Sequence, residues 1–275
     1  MTWKQLSPSR LHHLALGPAY GMTHVGMLRT TNEDNFLIDE ALCLVMVGDG
    51  MGGHEAGEVA SAGALTGVQQ FLIEAARANV PAKQSSEDPD ATWTDETLPA
   101  VATMFDAIDF ANRLLYAENV VRHMSEGEGM GTTLTGLWCP AVDSPLIVFQ
   151  VGDSRLYRYR DGEFALLTRD QTLYQQALDA GMVDDLPKRN MLLQAIGPSP
   201  VIKPDVRTYD VAKGDLFMLC SDGLHGAVAH ADMESVMRDA AAIGFEQACQ
   251  RLIALANADG GRDNITAVMV AVEVV

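Results

Sequence analysis

The feature that most constrains this chain is a recurring join, in which a short apolar run ends in an aspartate beside glycine. In LVMVGDGMGGHEAGE, residues 44–58, the run stops at Asp49 and glycines follow at 50, 52, 53 and 57. IVFQVGDSR leads to Asp153 and DLFMLCSDG to Asp222; GGRDNITAVMV reverses the order, with Asp263 and Asn264 just before the run. A lone Asp-Gly is most often a β-turn, and Asp161-Gly162 and the KGD of 213–215 are taken as turns. Four acids at strand tips point elsewhere. A carboxylate at the rim of a core must find a partner, or burial drives it to its neutral form. Acids gathered at one edge repel unless a cation sits among them. Oxygen donors with no Cys or His set nearby suit hard divalent ions, Mg²⁺ or Mn²⁺. Gly50 is expected to permit a tight turn, with its carbonyl available as a ligand.

Periodicity sketches the rest. Strands are expected at 41–47, 145–151, 155–160, 216–220 and 265–275, two of them marked by hairpin turns. Helices are expected at 56–78, with Val59, Ala62, Leu65, Val68, Leu72 and Ala75 on one stripe; at 99–124, opened by Pro99, with Val101, Phe105, Ile108 and Leu115 facing inward; and at 245–257. Residues 81–98 are polar, acidic and proline-bearing, an exposed excursion that holds Trp93. Strands, then helices, then hairpins indicate an α+β fold.

Composition narrows the partners. The net charge of −18, from 19 basic and 37 acidic residues, argues against nucleic acid and anionic membranes, which need a basic face. Cysteines 43, 139, 220 and 249 are dispersed without a CxxC pair, and are expected to be buried and reduced. No signal-peptide core or membrane-length apolar run is visible, so a cytoplasmic protein is expected.

GMLRTTNEDNF, residues 26–36, adds Arg29, suited to gripping a phosphate, four residues before Glu33 and five before Asp34. Taken together, Arg29 to Asp34, Asp49 to Gly57, Gly131-Thr-Thr133, Gly152-Asp-Ser-Arg155, Ser221-Asp-Gly223 and Gly261-Arg-Asp-Asn264 resemble, in order, the bacterial branch of the metal-dependent protein phosphatases. These are the type-2C, or PPM, serine/threonine phosphatases. The resemblance covers about residues 20–275 and implies one catalytic domain there, preceded by an extension or first strand at 1–19, with a flap at 168–197. It implies a four-layer α-β-β-α sandwich with two central antiparallel sheets. It also implies two Mn²⁺ or Mg²⁺ ions, bridged by Asp49 and further held by the Gly50 carbonyl, Asp222 and Asp263. Glu33 and Asp34 would act through coordinated water, Asp153 would hold a weaker third ion, Asn264 would support the site, and Arg29 would bind the substrate phosphate. A metal-bridging water would then attack the phosphomonoester of a phosphorylated protein directly, reversing a serine/threonine kinase.

The chain departs from the family at three places: Met51 stands where eukaryotic relatives have His, Gly226 where many bacterial relatives have Asp, and Gln171 where His is often seen. His54 is the nearest alternative acid. A haloacid-dehalogenase reading of GDGMGG and DPDAT (88–92) fails, because that nucleophile needs a preceding apolar strand and the order is reversed. The absence of GK[ST] excludes a P-loop. The non-catalytic alternative is a pseudophosphatase acting as a binding or regulatory module. His12, His13 and His123 are read as surface or structural residues, Tyr157 and Tyr159 as packing, and Thr132 and Thr133 as hydrogen-bonding near the site.

Overall fold

The computed structural model describes residues 5–52, 56–78, 97–141 apart from 124, 126 and 128, and 144–274. Residues 79–96, which hold Trp93, DPDAT and most of the expected acidic excursion, lie outside the described residues, as does His54.

Alternation along the strands dictates the layers. In β4 (Leu44–Met51), Leu44 and Met46 pack on one side and Val45 and Val47 on the other, and all four are buried. Successive strand side chains point to opposite faces, so a strand apolar on both needs a layer against each. The first sheet has the spatial order β1 (Leu11–His13), β2 (Pro18–His24), β12 (Ile265–Ala271), β11 (Leu216–Cys220), β8 (Arg155–Arg160), β9 (Glu163–Leu166). The second runs β10 (Asp205–Tyr209), β7 (Leu146–Val151), β6 (Leu134–Trp138), β4, β3 (Asp34–Asp39), with β5 (Gly131–Thr132) paired to the end of β4. All these pairings are antiparallel.

Three apolar layers result. Phe36, Val45, Val47, Val148, Phe217, Leu219, Val268 and Val270 fill the space between the sheets. Leu65, Val68 and Leu72 of α1 (Ala56–Arg77) and Met104, Ile108 and Leu115 of α2 (Thr97–Val121) cover the second sheet. Met233, Val236 and Met237 of α5 (His230–Ile243) and Leu252 and Ile253 of α6 (Phe245–Ala258) cover the first. The fold is the four-layer α+β sandwich. Two shorter helices, α3 (Leu173–Asp179) and α4 (Asp222–His225), lie in the connections. Among the described residues no helix is long and apolar enough to cross a membrane. All four cysteines are free and buried.

Some expectations change. β4 starts at Leu44, because the Asp39 carboxylate accepts from the N–H groups of Ala41 and Leu42 and makes a turn there. Phe105, expected to face inward, is 40% exposed. The buried stripe of α2 is Met104, Ala107, Ile108, Ala111 and Leu115, and Phe105 falls one helical step beyond it. Helix α5 was not foreseen, although Met233, Val236, Met237 and Ala240 follow helical spacing.

Candidate metal centre

At one end of the space between the sheets the alternation continues and the residue type changes. On β3 and β4, Phe36 pairs with Val47, and two residues on, on the same face, Asp34 pairs with Asp49. The opposing sheet supplies Ser221, just past β11, and Thr266 of β12. Both hydroxyls donate to Asp34 Oδ2, at 2.7 and 2.6 Å, clasping the carboxylate across the two sheets. Asp34 is fully buried, and that burial lifts its pKa to about 7 even though the two hydroxyls pull the other way.

Asp49 sits beside it. Its backbone N–H donates to Thr133 Oγ1 (2.9 Å) and its carbonyl accepts from Thr132 Oγ1 (3.0 Å). Burial, then the charges of Asp34, Asp222, Asp153 and Asp263, push its carboxyl well above the usual range. Asp222 opens α4; burial and Asp263 raise it, while a hydrogen bond shared with Asp49 moderates the shift. Asp153 follows Gly152, whose φ of +99° turns the chain sharply after β7. Burial and the Asp222 charge push Asp153 up to about 7. Glu33 is raised by burial against the opposing pull of Arg29.

These groups share one cleft of about 280 Å³, lined by Arg29, Glu33, Asp49, the Gly50 backbone, Asp153, Asp222 and Asp263, with Met51, Asn190 and Leu192 at its side. Asp34 lies behind Asp49 rather than on the cleft wall. Arg29 Nη2 pairs with Asp263 Oδ2 at 2.8 Å, and both side chains are substantially exposed. An exposed pair of this kind is worth about 0–1 kcal/mol, so it separates readily. Among the described residues, no three His, Cys, Asp or Glu side chains are arranged to hold an ion. Asp263 faces Arg29, Asp222 faces Asp49, and Asp34 faces Ser221 and Thr266.

Gly50 serves close approach, not the expected turn, since β4 runs on to Met51. A Cβ on Gly50 would lie 2.1 Å from the Gly57 carbonyl oxygen and 2.6 Å from that of Glu33. A Cβ on Gly57 would meet Glu33 Oε2 at 2.6 Å. The first turn of α1 thus presses directly on β4 and on the Glu33 loop. Asn264 secures that loop from the other side: its Oδ1 accepts from the Glu33 N–H (2.8 Å) and its Nδ2 donates to the Val25 and Thr31 carbonyls.

Gln171 was noted in the sequence only as a departure from the family, and the roles of several residues emerge only here. Gln171 Oε1 accepts from the Gly152 N–H (2.9 Å), the Gln171 N–H donates back to the Gly152 carbonyl (2.9 Å), and the Leu193 N–H donates to the Gln171 carbonyl (2.8 Å). One residue therefore ties the stretch from 171 to 193 to the Asp153 turn. His225 is half-buried, with Nε2 3.0 Å from the Asp153 carbonyl, and desolvation there lowers its pKa to about 4. Asn190 and Leu192 reach the cleft from a stretch without periodicity. A larger groove of about 650 Å³ runs between α1, α2 and Trp138, with Asp106 as the only ionisable residue among its described lining residues.

The protein phosphatase 2C family profile matches residues 29–269. The chain belongs to the protein phosphatase 2C family. The serine/threonine phosphatase stp of Listeria innocua is 32% identical over 256 residues, covering 90% of this chain and 93% of the relative. Protein phosphatase PhpP of Streptococcus pneumoniae is 30% identical over 260 residues, covering 90% and 95%. Among solved structures, the Mycobacterium tuberculosis serine/threonine phosphatase PstP/Ppp superposes with a TM-score of 0.75 at 27% identity, over 93% of this chain and 98% of that one. The catalytic domain of serine/threonine protein phosphatase PstP in complex with two manganese ions superposes at 0.73 and 28%, over 93% and 97%. The chain is a protein serine/threonine phosphatase of this family, and the pseudophosphatase alternative finds no support in these matches.

Proposed function

We propose that this phosphatase hydrolyses phosphoserine and phosphothreonine esters at the cleft between Arg29 and Asp49, using two Mn²⁺ or Mg²⁺ ions. The observation that carries the reading is the gathering of Glu33, Asp49, Asp153, Asp222 and Asp263 round one cleft, with burial pushing Glu33, Asp49, Asp153 and Asp222 towards their protonated forms. Acids so placed are ionised together only with positive charge among them. The donor set suits hard cations, since it offers only carboxylate and carbonyl oxygen, and the Gly50–Gly57 contact leaves the Glu33 carboxylate room beside the Gly50 carbonyl. In this reading Asp49, the Gly50 carbonyl, Asp222, Asp263 and Glu33 would hold the ions. Asp153 serves a third, weaker position, and Asp34 backs Asp49 from behind.

Bound there, the ions would supply the positive charge that acidifies a water and offsets charge on the phosphoryl oxygens. The residues do the rest. Arg29, held at the cleft only by its exposed pair with Asp263, would exchange that carboxylate for two phosphate oxygens of the substrate. Asn264 holds the Glu33 loop so that Arg29 stays at the mouth. Met51 has no proton to give, so the leaving alkoxide takes its proton from another group or from solvent. One catalytic unit spans 20–275, with 168–197 as its flap and 1–19 as an extension that adds β1 and the start of β2 to the first sheet. The phosphoprotein substrates are products of a serine/threonine kinase, which this enzyme opposes in the cytoplasm.

The test is hydrolysis of p-nitrophenyl phosphate and of a phosphothreonine peptide, after EDTA and then with Mn²⁺ or Mg²⁺ restored. Activity that disappears on chelation and returns with Mn²⁺ supports the reading. Turnover that persists after complete chelation rejects it.

A further inference from the structure

A second groove of about 430 Å³ adjoins the cleft, and the two share Met51, Asn190 and Leu192 in their walls. Their chemistry differs. The cleft carries Arg29 and five carboxylates, whereas none of the groove's described lining residues is ionisable. Leu193, Pro198, Val201 and Ile202 form much of its wall. Val201 is 74% exposed and Leu193 43%. Grouped beside a polar cleft, these exposed apolar side chains offer a surface on which an apolar group of a ligand can leave water.

The groove is also held rigid at a cost in buried polar groups. Asn112 and Asn119 of α2 are buried, and both direct their amides to the turn that follows the flap. Asn112 Oδ1 accepts from the Gly197 N–H (2.8 Å) and its Nδ2 donates to the Ser199 carbonyl (3.0 Å). Asn119 Nδ2 donates to the Gly197 carbonyl (3.1 Å) and to that of Met130 (2.8 Å). Ile196 exchanges backbone bonds with Thr132 at 3.1 and 2.9 Å. Gln194 brackets Lys203, accepting from its N–H at 2.6 Å and donating to its carbonyl at 3.1 Å. Buried amides destabilise unless satisfied, and here they are satisfied by fixing this one wall. A preformed apolar wall lowers the ordering cost of whatever it binds.

We propose that this groove is the subsite for an apolar side chain flanking the phosphorylated residue of the protein substrate. The inference rests on the phosphatase reading of the cleft and adds a specificity to it. Because the groove shares a wall with the cleft, and an extended peptide advances about 3.3 Å per residue, one of the few residues on either side of the phosphoresidue would reach it. Charged neighbours would enter a space with no described counter-charge.

The test uses phosphothreonine peptides carrying Leu, Asp or Lys at each of the three positions on either side of the phosphoresidue, with Mn²⁺ present. At one position the Leu peptide should exceed the Asp and Lys peptides in kcat/KM by about tenfold, the order expected for one seated apolar side chain. Val201→Asp and Leu193→Asp should bring that ratio towards one. Taking the ratio within each enzyme cancels any general loss of turnover. A wild-type ratio near one at every position, a preference for Lys, or a tenfold ratio that survives both substitutions overturns the subsite. A wild type that hydrolyses neither these peptides nor p-nitrophenyl phosphate overturns the reading of the cleft instead.

Discussion

Two stretches of the same space between the sheets lie two residues apart and behave oppositely. At Phe36, Val47, Phe217, Leu219 and Val268 the inward faces of β3, β4, β11 and β12 meet as side chains with little or no exposure, and burial there stabilises the fold. One step along the same faces stand Asp34, Asp49, Ser221 and Thr266, where burial raises both carboxyl groups and opposes their charge. The geometry is shared and only the side-chain chemistry changes. The apolar stretch supplies the rigidity that lets the acidic end tolerate mutual repulsion, so stability and activity should be separable by substitutions a few ångströms apart.

The largest effect should come at the acidic end. Asp49→Asn should lower kcat by about a thousandfold or more, while the chelated protein melts no lower than wild type, since one repelling charge is gone. A melting temperature that falls along with activity would break the contrast. At the apolar end, Phe217→Ala should cost about 3–5 kcal/mol. That corresponds to roughly 6–20 °C in melting temperature, with kcat of the folded fraction close to wild type. Calorimetry beside metal-restored activity would read both.

The contrast can be sharpened with pH. Asp34 and Asp153 each have a folded pKa of about 7, against an ordinary value of 3.8. Between those values the folded state binds more protons than the unfolded one, so stability is fullest below about pH 4 and declines as pH rises through 7. For the chelated protein, the melting temperature, compared after allowing for groups elsewhere, should fall from pH 5 to pH 7.5. Added Mn²⁺ should raise it more at pH 7.5 than at pH 5, and an equal rise at both would count against the cation-binding set. The smallest effect belongs to Gln171. Gln171→Ala removes the side-chain bond to Gly152, worth about 1 kcal/mol, and should cost about fivefold in kcat/KM. Gln171→Asn, too short to reach, should not restore it. If both variants match wild type, Gln171 does not position the Asp153 turn.

Much of this arrangement was legible in the chain. The strands at 155–160 and 216–220 fall where periodicity placed them, because hydrophobic alternation is a local signal. The acid-bearing tips were visible for the same reason. Phe105 was misjudged, since a helix wedged between α1 and a sheet can bury neighbouring stripes and only packing selects one. Gly50 was misread because a turn and a close contact leave the same glycine in a sequence. The contacts of Gln171, Asn112 and Asn119 leave no pattern in the sequence, as each side chain binds backbone atoms 11 to 87 positions away.

By itself the sequence determined the α+β class, the order of the acid-bearing strands and the family, because alternation and motif order are local properties of the chain. Only the tertiary structure decided that Asp34 stands behind Asp49 under two hydroxyls from the opposite sheet, and that Arg29 rests on Asp263. It alone placed an uncharged, amide-braced groove beside the acids. Register and layer packing set these contacts, and they join residues as far as 234 positions apart.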